Sequence, residues 1–240
     1  MKSTLVLMML ILLSTASGQQ VPDKDPRVEA VVREISGSNI KRSVGTLVSF
    51  GTRHTLSDTV SQTRGIGAAR RWIASEFQRY AKESGGRMTV EFHESIVPQS
   101  ARIPSPTNVV NVVATLRGRQ SGTVGAERLL VVGAHYDSRA TDPLDATSDA
   151  PGANDDGSGT AVILELARVL SKQTFGATIV FIAFAGEEQG LLGAGRWAEM
   201  AKEKSWNVEA MLNNDMVGNT RGGDGKTDAS TVRLYSEALT

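Results

Sequence analysis

The chain has 240 residues, with 26 lysines and arginines against 26 aspartates and glutamates, and no cysteine. That length allows one α/β domain with a sizeable core. The even charge excludes the basic footprint expected for nucleic acid or an anionic membrane surface, and the missing cysteine excludes disulfides.

The first 18 residues differ from the rest. A basic start (Lys2), an apolar run from Leu5 to Leu13 and the small residues Ser14 to Gly18 read as a secretory signal peptide, too short for a spanning helix. Gln19 to Pro26 reads as a linker, and residues 27–240 as one domain. Export without cysteine suits a bacterial periplasmic or extracellular protein, with no stable membrane association after cleavage.

From Val28 to about Ile40 apolar residues recur at helical spacing, and Ser43 to Phe50 extends this into a second helix. Gly51 to Thr63 is a polar loop. Ile66 to Ala81 is an amphipathic helix with Ala69, Trp72, Ile73, Phe77 and Tyr80 on one face. Strands are predicted over Met88–His93, Asn108–Leu116, Leu129–Ala134 and Thr178–Phe184. The last two are continuous apolar runs, as strands covered by helices on both faces require. The helical pattern over Thr160–Ser171 lies between them, so the order implies a parallel βαβ unit. A helix over Leu192–Lys202, a strand over Val208–Val217, a glycine-rich loop over Gly218–Asp228 and the start of a strand over Val232–Tyr235 complete the reading. The fold class is α/β, a central mixed, largely parallel sheet flanked by helices. Residues 27–106 form a helical lead-in and 107–240 the core.

The acids and histidines fall at the carboxyl ends of the predicted core strands. His135-Tyr136-Asp137 follows the first apolar run, Glu187–Glu188 the second, and Asp215 ends the third. Asp155–Asp156 lies in a glycine-rich turn ahead of a helix. In open α/β sheets that rim is where ligands bind. Carboxylates so gathered repel one another and call for a cation. Imidazole with carboxylates suits zinc, manganese or cobalt, and shared acids suit two ions about 3.5 Å apart. In His-x-Asp on an extended segment the two side chains share a face, so Asp137 can fix the tautomer of His135. Glu187 and Glu188 point opposite ways, which allows one to bind metal and the other to act as a base. One of Asp155 and Asp156 can cap the helix. His54 and His93 read as structural or solvated.

The motifs GAHYDS, PGANDDGSGT, FAGEEQGLLGA and NNDMVG, in that order, resemble the co-catalytic zinc aminopeptidases of the bacterial leucyl aminopeptidase type; GTRHT and the Ile66 helix match as well. The resemblance implies the zinc-exopeptidase fold and removal of N-terminal residues from peptides. It implies that Asp155 bridges two zinc ions, that His135 and Asp215 complete one site, that Glu188 binds the other ion, that Glu187 is the general base, and that Asp137 orients His135. It also implies a cis Asp155–Asp156 bond. The family's second zinc takes a further histidine downstream of the position of Asp215, and no histidine follows His135 here. The expectation is therefore a member truncated at its C-terminus, with one complete metal site. A carboxypeptidase or dipeptidase of the same family, and a non-catalytic binding module of the same fold, are the alternative readings.

Overall fold

The computed structural model describes residues 25–119 and 127–236. The expected signal peptide and most of the linker lie outside the described residues. Ten elements follow in order: α1 (Pro26–Arg33), α2 (Gly37–Ser49), α3 (Gly65–Glu83), β1 (Met88–Val97), β2 (Thr107–Leu116), β3 (Leu129–His135), α4 (Gly157–Leu170), β4 (Thr178–Phe184), α5 (Leu192–Glu203) and β5 (Val208–Asn213).

The strands form one sheet in the order β1-β2-β4-β3-β5. β3 runs parallel to both β4 and β5, whereas β2 is antiparallel to β1 and β4. Four strands thus point one way and β2 alone the other, so the sheet is mixed as expected. The parallel β3-α4-β4 crossover puts the carboxyl ends of β3, β4 and β5 on one rim.

Alternating side chains send Val112, Ala114, Val132, Phe181 and Ala183 to one face, where α2, α3 and α4 bury them in a core with Phe77 and Ile163. Val113, Val131, Val180 and Ile182 go to the other face, against Trp197 and Ala201 of α5. Phe77 and Phe181 are fully buried with ring centroids 6.5 Å apart, a tilted pair worth roughly 1 kcal/mol beyond its buried area. β5 is the sheet edge on its side, and its Val208, Met211 and Leu212 are exposed.

Several boundaries differ from the sequence reading; β1, for example, runs on to Val97 instead of ending at His93. The first helical stretch is split at residues 34–36. Ser36 caps α2 by accepting the Asn39 N–H at 3.3 Å, and the buried Glu165 of α4 accepts the Ser36 N–H at 2.7 Å. This long-range bond ends the helix where periodicity alone continues it. The strand after Val208 stops at Asn213, because the Met216 and Val217 N–H groups turn to Asp156 and Ser158 instead of a neighbouring strand. Residues 232–235 form no strand.

Candidate metal centre

The parallel rim assembles the site. β3 ends on His135, whose side chain is almost wholly buried. Its backbone N–H donates to Asp156 Oδ2 at 3.2 Å, and its carbonyl accepts the Thr160 hydroxyl at 2.9 Å. Its Nδ1 faces the Asp137 carbonyl oxygen at 3.2 Å and the Asp137 carboxylate at 3.5 Å. With Nδ1–H held by Asp137, Nε2 becomes a donor to metal once it gives up its own proton. Asp155 Oδ1 lies 3.1 Å from Nε2, while Glu187 Oε2 and Asp215 Oδ1 each lie 3.9 Å away.

The Asp155–Asp156 peptide is cis, as the resemblance implies. The pair divides its labour. Asp155 is half exposed and turned to the rim, whereas Asp156 is fully buried. Asp156 caps α4 by accepting the Gly159 N–H at 2.9 Å, and it also accepts the N–H groups of His135 and Met216. One carboxylate therefore pins β3, α4 and the turn carrying Asp215 together. A Cβ at Gly159 would lie 2.1 Å from the Asn214 carbonyl, so glycine is what lets that turn seat on the helix.

Asp137 is fully buried and does more than face His135. It accepts the N–H groups of Glu187 and Glu188 at 3.2 Å each and the Thr55 hydroxyl at 3.2 Å. It thus fixes the start of the acidic loop against the end of β3.

Sequence reasoning missed two arginines. Arg53 is fully buried and donates to the carbonyls of Leu47, Tyr136, Pro151 and Gly152 at 2.7–3.1 Å. Its fork ties the end of α2 to the residue between His135 and Asp137, and to the loop before Asp155. Gly152 has φ +46, and a Cβ there would meet the Asp155 carbonyl at 2.4 Å and Arg53 Nη2 at 2.9 Å. Arg139 pairs with Glu188, Nε to Oε2, at 2.7 Å. The available signals were an arginine inside GTRHT and one directly after HYDS; neither position carries a periodicity that marks it. His54 proves structural: it is buried, its Nδ1 accepts the Leu56 N–H at 3.0 Å, and Nε2 therefore donates to the Pro143 carbonyl at 3.0 Å. His93 is half-buried on β1 beside Asn111.

Charge is unbalanced here. Six carboxylates (Asp137, Asp155, Asp156, Glu187, Glu188, Asp215) meet Arg53, Arg139 and His135. Burial opposes a charge on His135, but its hydrogen bonds to Asp137 and Asp155 outweigh this and push it up to about 11. Burial also pushes Asp156 up to about 7 and raises Glu187, while the bond from His135 holds Asp155 down. Such a surplus of carboxylate suits a cation.

His135, Asp155 and Asp215 offer donor atoms all within 4.8 Å of one another. Imidazole nitrogen and carboxylate oxygen are both ligands zinc accepts, and three protein ligands is the number a catalytic zinc site uses. Glu188, the ligand expected for a second ion, is turned to Arg139 and stands outside that group. A groove of about 510 Å3 lies by the amino ends of β3 and β4 near Trp197 and Trp206, and none of the candidate residues line it.

Residues 111–237 match peptidase family M28. The chain belongs to that family. This M28 chain is 52% identical over 216 residues to a protein of Leptosphaeria maculans named "Probable zinc metalloprotease", covering 90% of the chain and 49% of the relative. A protein of the same name from Pyrenophora teres f. teres is 49% identical over 220 residues, covering 91% and 46%. The chain thus spans about half the length of the curated relatives it matches. Among solved structures, the Legionella pneumophila LapA aminopeptidase is 26% identical at a TM-score of 0.62, covering 90% of this chain and 52% of LapA. LapB of the same organism is 27% identical at 0.64, covering 83% and 48%. These relatives bear out the expected family and the mixed α/β fold. The near-half-identical relatives are fungal, so the bacterial source expected from the sequence gains no support from them. Among the described residues no helix is long and apolar enough to cross a membrane.

Proposed function

We propose that this M28 chain carries the metal-binding half of a secreted zinc aminopeptidase that hydrolyses N-terminal residues from peptides. The observation that carries the reading is the convergence on His135 Nε2 of Asp155, Asp215 and Glu187, from three separate segments of the rim, within 3.9 Å. His135, Asp155 and Asp215 hold one zinc ion; Asp155 and Glu188 offer carboxylates to a second ion in the full-length protein. When bound, zinc supplies a Lewis acid that polarises the scissile carbonyl and lowers the pKa of water.

The residues of the chain do the rest. Glu187 is not needed for the three-donor set, and burial raises its carboxyl above the ordinary range. A base with a raised pKa is better matched to proton transfer near neutral pH. It takes a proton from the attacking water and returns it to the departing amine. Asp137 holds the His135 ring through Nδ1 and, by accepting the Glu187 N–H, fixes the distance between ligand and base. Secretion is supported by the basic, apolar and small-residue succession over residues 1–18. Resemblance to the LapA aminopeptidase supports exopeptidase action.

The test is release of free N-terminal residues from peptide amides by the zinc-loaded full-length protein. Activity abolished by chelation and by Glu187→Gln supports the reading; activity that survives both would end it.

A further inference from the structure

Asn111 interrupts a run of valines on β2 and is fully buried. A buried amide there must be paired, and its partners lie on the loop that carries Glu187. The β2–β4 ladder ends at the Val112–Ala183 pair. Beyond it, Asn111 Oδ1 accepts the Ala185 N–H at 3.0 Å, and Nδ2 donates to the Gly193 carbonyl at 2.9 Å. The second amide proton goes to Nδ1 of His93, the residue opposite on β1, at 3.1 Å. A backbone N–H can only donate and a carbonyl can only accept, so these partners fix which way the amide faces. Between the two contacts the chain returns on itself. The Gly193 N–H donates to the Ala185 carbonyl at 3.0 Å, and the Leu192 N–H to the Gly186 carbonyl at 2.9 Å. A Cβ at Gly193 would lie 2.2 Å from Asn111 Oδ1, so glycine is what lets the amide seat in this neck. Asp137, beyond β3, holds the same loop by the N–H groups of Glu187 and Glu188. Since β2 and β3 flank β4, the loop is held from both neighbours of its own strand.

We propose that Asn111 is a positioning residue for the general base: it closes the neck of the 185–193 loop and so fixes where Glu187 stands relative to His135. The inference rests on the reading of Glu187 as the base. The physical reason is a division of anchors. Asp137 holds the loop near His135, whereas Asn111 holds both ends of the loop with one side chain. Without that amide the Ala185 N–H and the Gly193 carbonyl lose a buried partner, and the neck opens while the bonds to Asp137 remain. Glu187 Oε2 stands 3.9 Å from His135 Nε2. A displacement of about 1 Å at such a position costs about a hundredfold in rate. His135, Asp155 and Asp215 lie on other segments, so the three donors keep their places.

Amide hydrogen exchange on the metal-free full-length protein reads the neck directly, and kinetics of the zinc-loaded protein read its consequence. Asn111→Ala is expected to speed exchange at Glu187, Leu192 and Gly193 by at least about tenfold, with no change at Val131 on β3 or Val180 on β4. In the same variant kcat should fall about tenfold to a hundredfold, with KM and the affinity for the first zinc equivalent within about threefold of the parent. Gly193→Ala forces the neck from the other side without emptying the core, and should give the same pattern. That second variant decides the matter where Asn111→Ala does not melt cooperatively. Exchange that rises equally across sheet and loop would make Asn111 a merely structural residue and overturn the inference. Loop exchange unchanged from the parent, or zinc affinity lost in step with kcat, would overturn it as well. Exchange is read without metal, so a failure at the neck is distinguishable from a parent that takes up no zinc, which would overturn the metal centre itself.

Discussion

His135 Nε2 and Asp155 Oδ1 lie 3.1 Å apart, although twenty residues of chain separate them and one closes a strand while the other precedes a helix. The contact exists because Asp156, next to Asp155, holds the His135 backbone with its own carboxylate: its Oδ2 accepts the His135 N–H at 3.2 Å. Ligand geometry and helix capping are thus built into one dipeptide.

Asp155 and Asp156 should therefore respond to substitution in opposite ways. Asp156→Ala removes the cap of α4 and strands the N–H groups of His135 and Met216. The expected loss is about 3 kcal/mol of unfolding free energy in urea. Asp155→Asn should leave the metal-free stability within about 1 kcal/mol and weaken zinc binding by about a hundredfold or more, read by calorimetric titration. Equal stability losses in the two variants would contradict the division.

Glu187→Gln should keep the first zinc equivalent and the melting temperature while lowering turnover by about two to four orders of magnitude. Comparing kcat with zinc content per chain checks this. Loss of zinc in step with activity would make Glu187 a ligand and not the base.

Metal uptake should release protons. In the metal-free chain His135 stays protonated to about 11, so zinc at neutral pH must displace that proton. Apparent affinity should rise with pH, about tenfold per unit for one proton, and calorimetry in buffers of different ionisation enthalpy counts the protons. The sign for stability is the reverse. Because the folded pKa is raised, the His135 contribution to the metal-free fold is full below its unfolded value of about 6.5 and fades as pH climbs towards about 11.

Arg53→Met should destabilise the fold by about 3–5 kcal/mol, because four carbonyl oxygens lose their donor and three nearby carboxylates lose a buried cation. Arg53→Lys restores the charge but not the fork, and should recover less than half of that loss, measured by the same urea transitions.

The rim was legible because two apolar runs end abruptly on His135 and Glu187, and strand ends are a local signal. The cap was half legible: the sequence allowed either member of Asp155–Asp156, and only the meeting of His135, Gly159 and Met216 on Asp156 chose between them. Arg53 and Arg139 were not legible, since an arginine in a polar loop reads the same whether solvated or buried among carbonyls. The break before α2 was hidden for a similar reason; its cause, Glu165, lies 129 residues from Ser36. Glu188 was assigned as a ligand by the family resemblance alone, and its partner Arg139, 49 residues away, was visible only in space.

Zinc-edge anomalous diffraction from zinc-loaded protein tests the central claim most directly. The account predicts an anomalous peak within bonding distance of His135 Nε2, Asp155 and Asp215, lost in His135→Ala. No peak there, or one that His135→Ala leaves in place, would contradict it.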